Sequence, residues 1–388
     1  MSDDALAMTT ARGGEQPAYP QARVAFIAGL ASGGTARHVA VLAAGCRDAG
    51  LAVTVLGPAA TLQRLQVRTD AIPLPIGDRP RPLRDVRSVT VLRRWLTGWQ
   101  PDIVHAHGVR AGAFAALAIT LARRAVRPAL VVTVHNAPPE RAAAALVHAV
   151  LERYCARRAD LVLCASGDLA TRLRARGAAV EQVDVTAPPG PVPTAAEAAA
   201  ARAEIGEAGR PMILAVGRLA RQKGLDVLVA AAARWRHRDP RPVTVIVGDG
   251  PLAGPLREQA ARQADSDVRM VGARKDVPAL LAAADVVVVP SRWEARALFV
   301  QEAMQAGRPI VAARVGGIPD LTGEDGAVLV SPGDPVELAA AVTALLDDPA
   351  RAARLGQAAL ARAATFPSPE DALAGMLSRY AHLTASRR

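Results

Sequence analysis

The sequence predicts an α/β protein built from two doubly wound domains. Three observations carry this. Short β-branched runs, among them RVAFIA (23–28), AVTVL (52–56), VTVIV (243–247) and DVVVVP (285–290), read as buried parallel strands. Helical stretches separate them along the whole chain, and such alternation builds parallel sheets. The 388 residues suit two domains better than one, and the proline-dense PPGPVP (188–193) breaks helix and sheet between them. The expected organisation is a disordered lead-in at 1–21 and a first domain at 22–187. A linker region at 188–209, a second domain at 210–365 and a final helical segment at 366–388 follow.

Composition narrows the class. Apolar residues make up 51% but aromatics only 3%, so the cores must be Ala, Val and Leu. No apolar run approaches the ~20 residues that span a bilayer. The first 21 residues lack the basic and apolar regions of a signal peptide. Cys46, Cys155 and Cys164 stand without metal-ligand spacing and fit buried thiols in a reducing compartment, so a cytoplasmic protein is expected. The net charge of +11 is uneven, +9 over residues 1–187 and +2 over 188–388. A basic half points to an anionic partner: a membrane surface, a phosphorylated acceptor or nucleic acid. Scarce aromatics deny nucleic acid its stacking platforms, so it is not an expected partner. A plain preference for Arg, which supplies 45 of the 47 basic residues, would give the same excess.

In the first domain, strand 23–28 runs into a glycine-rich turn ending in Gly33 and Gly34, where a phosphate can approach backbone. After strand 52–56, a Pro/Arg-rich loop (72–82) leads to an amphipathic helix at 84–99. Leu92, Trp95, Leu96 and Trp99 share one face of it and Arg87 and Arg94 lie opposite, a pattern that suits packing on the sheet better than lying on a membrane. PDIVHAHG (101–108) is a strand whose carboxyl end carries His107, where ligands of parallel sheets gather. His105 shares its face by alternation and reads as an interior histidine. LVVTVHN (130–136) ends in His135 and Asn136. A helix at 139–158 follows, and LVLCAS (161–166) and VDVTAP (183–188) complete the first sheet.

The second domain opens with an Ala-rich helix. In GRLARQKG (217–224), Arg218 and Lys223 flank a helix start, where the helix dipole repels cations, so a diphosphate ligand explains them better than solvation. Lys275, the only other lysine, also follows a strand; Asp276 beside it reads as an N-cap. After 285–290 comes a helix at 297–307 whose N-terminus, near Leu298, offers unpaired N–H groups to a diphosphate. Glu294 and Glu302 flank that start with seven residues between them. Carboxylates cannot bind the phosphate, but they accept hydrogen bonds from sugar hydroxyls on either side of it.

This E-x7-E pattern, followed by QEAMQAG and GGIPD, resembles the donor site of the retaining GT-B glycosyltransferases of family 4, the glycosyl transferases group 1. GRLARQKG, VGDGP, GGTARHV and HAHG are similar to further motifs of that family, and the resemblance covers roughly residues 23–380. It implies a GT-B fold, two Rossmann-like domains facing a cleft, with the last helix crossing back to the first. It implies that Glu294 meets the donor sugar, Glu302 the ribose, and Arg218 and Lys223 the diphosphate. Gly33, Gly34 and His107 would face the reaction centre, and the turn before Lys275 the base. The implied activity is a retaining, metal-independent hexosyltransferase. It would need no cofactor beyond a nucleoside-diphosphate sugar donor. The charge of the basic first domain, apart from the resemblance, points to an anionic or lipid-linked acceptor and to peripheral membrane contact. Two departures stand out. Glu294-Ala295-Arg296-Ala297 replaces the family's E-G-x-G, which would let Arg296 reach an anionic group. Pro189-Gly190 replaces its Asn-Gly. A nucleotide-sugar epimerase of the same architecture, or a catalytically weakened nucleotide-sugar-binding protein, stays open on the sequence.

Overall fold

The computed structural model describes residues 22–29, 34–65, 69–77, 80–122, 127–135, 138, 141–183, 185–187, 190–205, 209–263 and 266–387. The lead-in 1–21, Gly33, Arg79, Asn136, Pro188 and Pro189 therefore lie outside the described residues.

The first sheet holds β1 (Arg23–Ala28), β2 (Ala52–Gly57), β3 (Asp70–Pro73), β4 (Ile103–His107), β5 (Ala129–Val134), β6 (Leu161–Cys164) and β7 (Val180–Gln182). All pairs are parallel, in the order β3-β2-β1-β4-β5-β6-β7. Helices α1 (Gly34–Asp48), α2 (Ala59–Leu65), α3 (Pro82–Trp99), α4 (Val109–Leu121), α5 (Ala142–Arg158) and α6 (Gly167–Arg174) cover its faces. The β-branched strands are buried on both sides, as a doubly covered sheet requires.

The second sheet is β8 (Met212–Val216), β9 (Val243–Val247), β10 (Val268–Gly272), β11 (Val286–Val289), β12 (Ile310–Ala313) and β13 (Val328–Val330), ordered β10-β9-β8-β11-β12-β13 and again parallel. Its helices are α7 (Ala195–Glu204), α8 (Leu225–Ala232), α9 (Ala253–Arg262), α10 (Val277–Ala283), α11 (Leu298–Gln305), α12 (Ile318–Thr322), α13 (Pro335–Asp347) and α14 (Pro349–Ala363). Helix α7 places Ala201 and Ile205 in this domain's core. The last helix, α15 (Pro369–Ala385), leaves it and buries Met376 and Tyr380 in the core of the first domain.

Three expectations shift. The strand expected at 183–188 lies earlier, at Val180–Gln182; Val183 N still donates to Cys164 O at 2.9 Å, and Val183 and Val185 are buried beyond the strand's end. Part of the loop expected at 72–82 pairs with β2 as the end of β3, and α2 precedes it. Helix α3 begins two residues earlier, with Pro82 at its first turn, where a missing N–H costs nothing. Its Val89, Leu92 and Leu96 are buried while Trp95 and Trp99 stack with centroids 4.8 Å apart, so the apolar face packs on the protein.

The carboxyl ends of the two sheets face each other, and the domains touch there. A Cβ on Gly34 would lie 3.0 Å from Leu298 Cδ1, so α1 and α11 start against one another. Gln301 is fully buried; it accepts from Ala187 N and donates to Val185 O, both at 2.9 Å. Trp293 Nε1 donates to Asp168 Oδ2 at 3.0 Å.

Candidate active site

The carboxyl ends of β8 and β11, neighbours in the second sheet, bring the loop carrying Arg218 and Lys223 beside the loop carrying Glu294. Gly224 takes φ +61° and a Cβ there would collide with the Pro290 carbonyl, so only glycine lets the two loops close. Arg292 grips Asp226 with two bonds, 2.7 and 2.6 Å, and donates to Arg221 O, while Gln222 Nε2 donates to Trp293 O. Within this frame Lys223 Nζ lies 2.6 Å from Glu294 Oε1, which also accepts from Ser291 Oγ at 2.8 Å. The Glu294 side chain is 7% exposed, so this pairing offsets the cost of burying its charge. The sequence reading gave the two residues separate duties; the fold joins them. Arg218 is exposed at the same edge.

The other carboxylate meets the first domain. Glu302, in α11, accepts from Arg37 Nη1 of α1 at 2.8 Å, a bridge across the cleft. Arg37 was not singled out in the sequence. Its signal was its place in GGTARHV, one helical turn after Gly34 and on the same face. The loop after β12 closes the site from behind. Gly317 N donates to Glu294 O at 2.9 Å, and a side chain at Gly316 would strike that same carbonyl. The GG of GGIPD thus seats the backbone of Glu294.

Two residues are placed differently from expectation. Arg296 does not reach toward an anion site; its guanidinium lies over the Phe366 ring, 5.5 Å from the centroid. Asp276 occupies the N-cap position of α10 without a side-chain cap. It accepts from Arg274 at 2.8 and 2.6 Å instead, which holds its carboxyl below the usual range. Lys275 is exposed after β10, two strands from β8 and so apart from the Lys223–Glu294 pair.

The first domain contributes four imidazoles. His107 is 3% exposed at the end of β4, with Nδ1 3.1 Å from His135 Nε2 and the rings stacked at 5.4 Å. His38 of α1 meets both edge-on, at 5.8 and 5.6 Å. His105 stacks on His107 at 4.3 Å. Burial pushes His38 down to about 4 and His135 to about 3, and holds His105 and His107 well below their ordinary value. The four are therefore neutral near pH 7. Nε2 of His107 and of His38 are buried and find no partner among the described residues, which leaves polar atoms to satisfy.

Comparison with known proteins decides the family. Residues 33–190 match the model of the glycosyl transferase 4-like domain, and residues 210–348 that of the glycosyl transferases group 1. The chain is 33% identical over 273 residues to the 2-deoxystreptamine glucosyltransferase of Streptomyces kanamyceticus, covering 65% of this chain and 70% of that one. The chain belongs to family 4 of the glycosyltransferases. This glycosyltransferase is also 35% identical over 279 residues to a glycogen synthase of Mycobacterium tuberculosis, covering 68% of this chain and 64% of the relative. With a D-inositol 3-phosphate glycosyltransferase of Nocardia farcinica it shares 37% over 220 residues, 53% of this chain and 48% of the relative. Its GT-B architecture matches two solved structures, each with TM-score 0.77 at 22% identity. Anabaena HepE in complex with UDP covers 93% of this glycosyltransferase and 100% of that chain, and the sucrose-phosphate synthase of Thermosynechococcus elongatus covers 94% and 100%.

Proposed function

We propose that the protein transfers a sugar from a nucleoside-diphosphate sugar to an acceptor hydroxyl with retention of anomeric configuration and without a metal ion. The observation that carries this is the meeting of Lys223 with Glu294 at the adjoining carboxyl ends of β8 and β11. A cation for the diphosphate and a carboxylate for the sugar stand side by side, with the α11 N-terminus following.

When the C1–O bond breaks, its electron pair goes to the diphosphate. Arg218, Lys223 and the α11 N–H groups stabilise that charge. The acceptor oxygen attacks C1 on the face the diphosphate leaves, and its proton passes to the departing phosphate oxygen. No side-chain nucleophile is needed. Glu294 orients the sugar and Glu302 the ribose. His107, as a neutral imidazole, holds a sugar hydroxyl with its unpartnered Nε2. The HepE structures hold UDP and UDP-glucose, which makes UDP-glucose the first donor to test.

The acceptor binds the first domain. A cavity of about 640 Å³ lies at the carboxyl ends of β2 and β3, walled by Pro58, Pro73, Leu74 and Leu83 with Arg84 and Arg87 at α3. Asp85 is engaged by Arg110 at 2.9 Å, and neither Arg84 nor Arg87 meets a carboxylate among the described residues. That site favours an anionic acceptor with an apolar part, presented in solution or at an anionic membrane surface. Among the described residues no helix is long and apolar enough to cross a membrane.

The test is incubation with UDP-glucose and candidate acceptors, with the product's anomeric configuration read by proton NMR. An α-linked product from the α-configured donor is expected. A β-linked product would refute retention, and an isomerised donor without transfer would point to an epimerase.

A further inference from the structure

Tyr380 comes from the far end of the chain, yet it touches the histidine stack. It lies on α15, is 2% exposed, and its hydroxyl is 2.6 Å from His105 Nδ1. The other ring nitrogen of His105 lies 2.6 Å from Thr133 Oγ1 on β5. His105 itself is fully buried and takes no part in the chemistry proposed above. It is nonetheless held at both nitrogens, with His107 stacked on it at 4.3 Å and the Phe26 ring tilted against it at 5.6 Å. The Tyr380 ring meets it edge-on at 5.9 Å and 84°.

The helix that delivers Tyr380 is fixed independently. Leu373 of α15 packs where a side chain at Gly45 would stand, Met376 is buried in the first core, and Arg379 pairs with Glu181 at 2.6 Å. The phenol therefore arrives at a set height against β4. A phenol O–H is more acidic than an aliphatic one, so Tyr380 is the better donor of the two hydroxyls. His105 Nδ1 then accepts from Tyr380, and its Nε2–H donates to Thr133. That fixes both the tautomer and the plane of the ring on which His107 rests.

We propose that Tyr380 is a positioning residue for the transfer reaction. By donating to His105 Nδ1 it fixes the imidazole that His107 stacks on, and so sets the direction of the His107 Nε2 atom. The crossover helix is in this sense part of the active site, although it touches no substrate. The proposal rests on the reading of His107 as the group that faces the transferred sugar. A plain structural role would cost stability alone when the hydroxyl is lost. A positioning role predicts a change at His107 and a loss of turnover at nearly constant donor affinity.

The test uses the full chain labelled with ¹⁵N and long-range ¹H–¹⁵N correlation of the imidazoles, with His105 assigned from the signal lost in His105→Gln. In the unmodified protein His105 Nδ1 should be unprotonated and hydrogen-bonded, with the proton on Nε2. A proton on Nδ1 would overturn the proposal whether or not Tyr380→Phe folds. In Tyr380→Phe the Nδ1 resonance should move toward that of a free, unprotonated ring nitrogen, and the His107 resonances should move with it. UDP-glucose turnover by the same variant should fall on the order of tenfold in kcat, with KM for the donor within about twofold. Unchanged imidazole resonances in Tyr380→Phe would overturn the proposal. Altered resonances with unchanged kcat would overturn the positioning role while leaving the transferase reading intact. No turnover by the unmodified chain would count against the transferase reading, whereas the spectrum reads the tie between Tyr380 and His105 directly.

Discussion

Lys223 and Glu294 form an ion pair at 2.6 Å that joins the loop after β8 to the loop after β11. Both side chains are candidate donor ligands, and removing Lys223 leaves the nearly buried Glu294 without its counter-charge. Lys223→Ala should weaken UDP binding 10- to 100-fold, from the loss of a charge-assisted bond of roughly 1.5–3 kcal/mol. It should also lower thermal stability, because it strands a nearly buried carboxylate. Adding Glu294→Gln should recover the stability and not the affinity. Calorimetric titration and thermal melts of both variants separate the two effects, and UDP affinity unchanged in Lys223→Ala would remove the clamp.

The two carboxylates should divide their labour. Glu302→Ala is expected to weaken binding of UDP itself, and Glu294→Ala to spare UDP while slowing turnover of UDP-glucose. Arg37→Ala should cost at most about 1 kcal/mol of stability, since its side chain is 53% exposed. Equal loss of UDP affinity in both glutamate variants would show the roles misassigned.

Much of this was legible in the sequence because both domains depend on local signals. Valine-rich runs such as 285–290 read as buried strands, and GRLARQKG and E-x7-E keep their candidate ligands within a few residues. β3 was not legible, since DAIP is a four-residue edge strand with no apolar alternation. Nor were the contacts that complete the site. Arg37 meets Glu302 from 265 residues away and Tyr380 meets His105 from 275; GGTARHV marks the turn that carries Arg37 but not its partner, and nothing local marks Tyr380. The place of Arg296 is hidden for the same reason: Phe366, the ring under its guanidinium, lies beyond two further strands and four helices.

The histidine stack makes stability depend on pH. His38 and His135 titrate in the fold near 4 and 3, and His105 and His107 are depressed as well, against about 6.5 for an unfolded chain. Below about pH 6.5 the unfolded chain binds these protons and the folded chain does not. Stability is thus fully present above that pH and falls as pH drops toward 4, by about 1.4 kcal/mol per pH unit for each proton taken up. Denaturant melts from pH 7 to 5 should show this decline, and His38→Gln should make it shallower by about one proton. A flat profile in both proteins would mean the histidines are not buried as described.

Arg84 and Arg87 should bind anions at the first-domain cavity. Neighbouring Leu83 and Val86 are 90% and 66% exposed, which adds an apolar edge suited to a bilayer surface. Salt-reversible co-sedimentation with anionic vesicles is expected, and it should be lost in Arg84→Glu with Arg87→Glu, because screening at physiological salt acts within ~8 Å. Equal, negligible pelleting with anionic and neutral vesicles at low salt would leave a soluble acceptor as the occupant.

The second domain is expected to hold a nucleoside diphosphate between the Lys223 loop and α11. Thermal melts of the full chain with a panel of nucleoside diphosphates test it most directly. One base should stand out, and at a concentration one hundred times its dissociation constant it should stabilise the fold by about 2.7 kcal/mol. The shift should be largely lost in Lys223→Ala. No shift with any nucleoside diphosphate at millimolar concentration, or an equal shift in Lys223→Ala, would contradict the account.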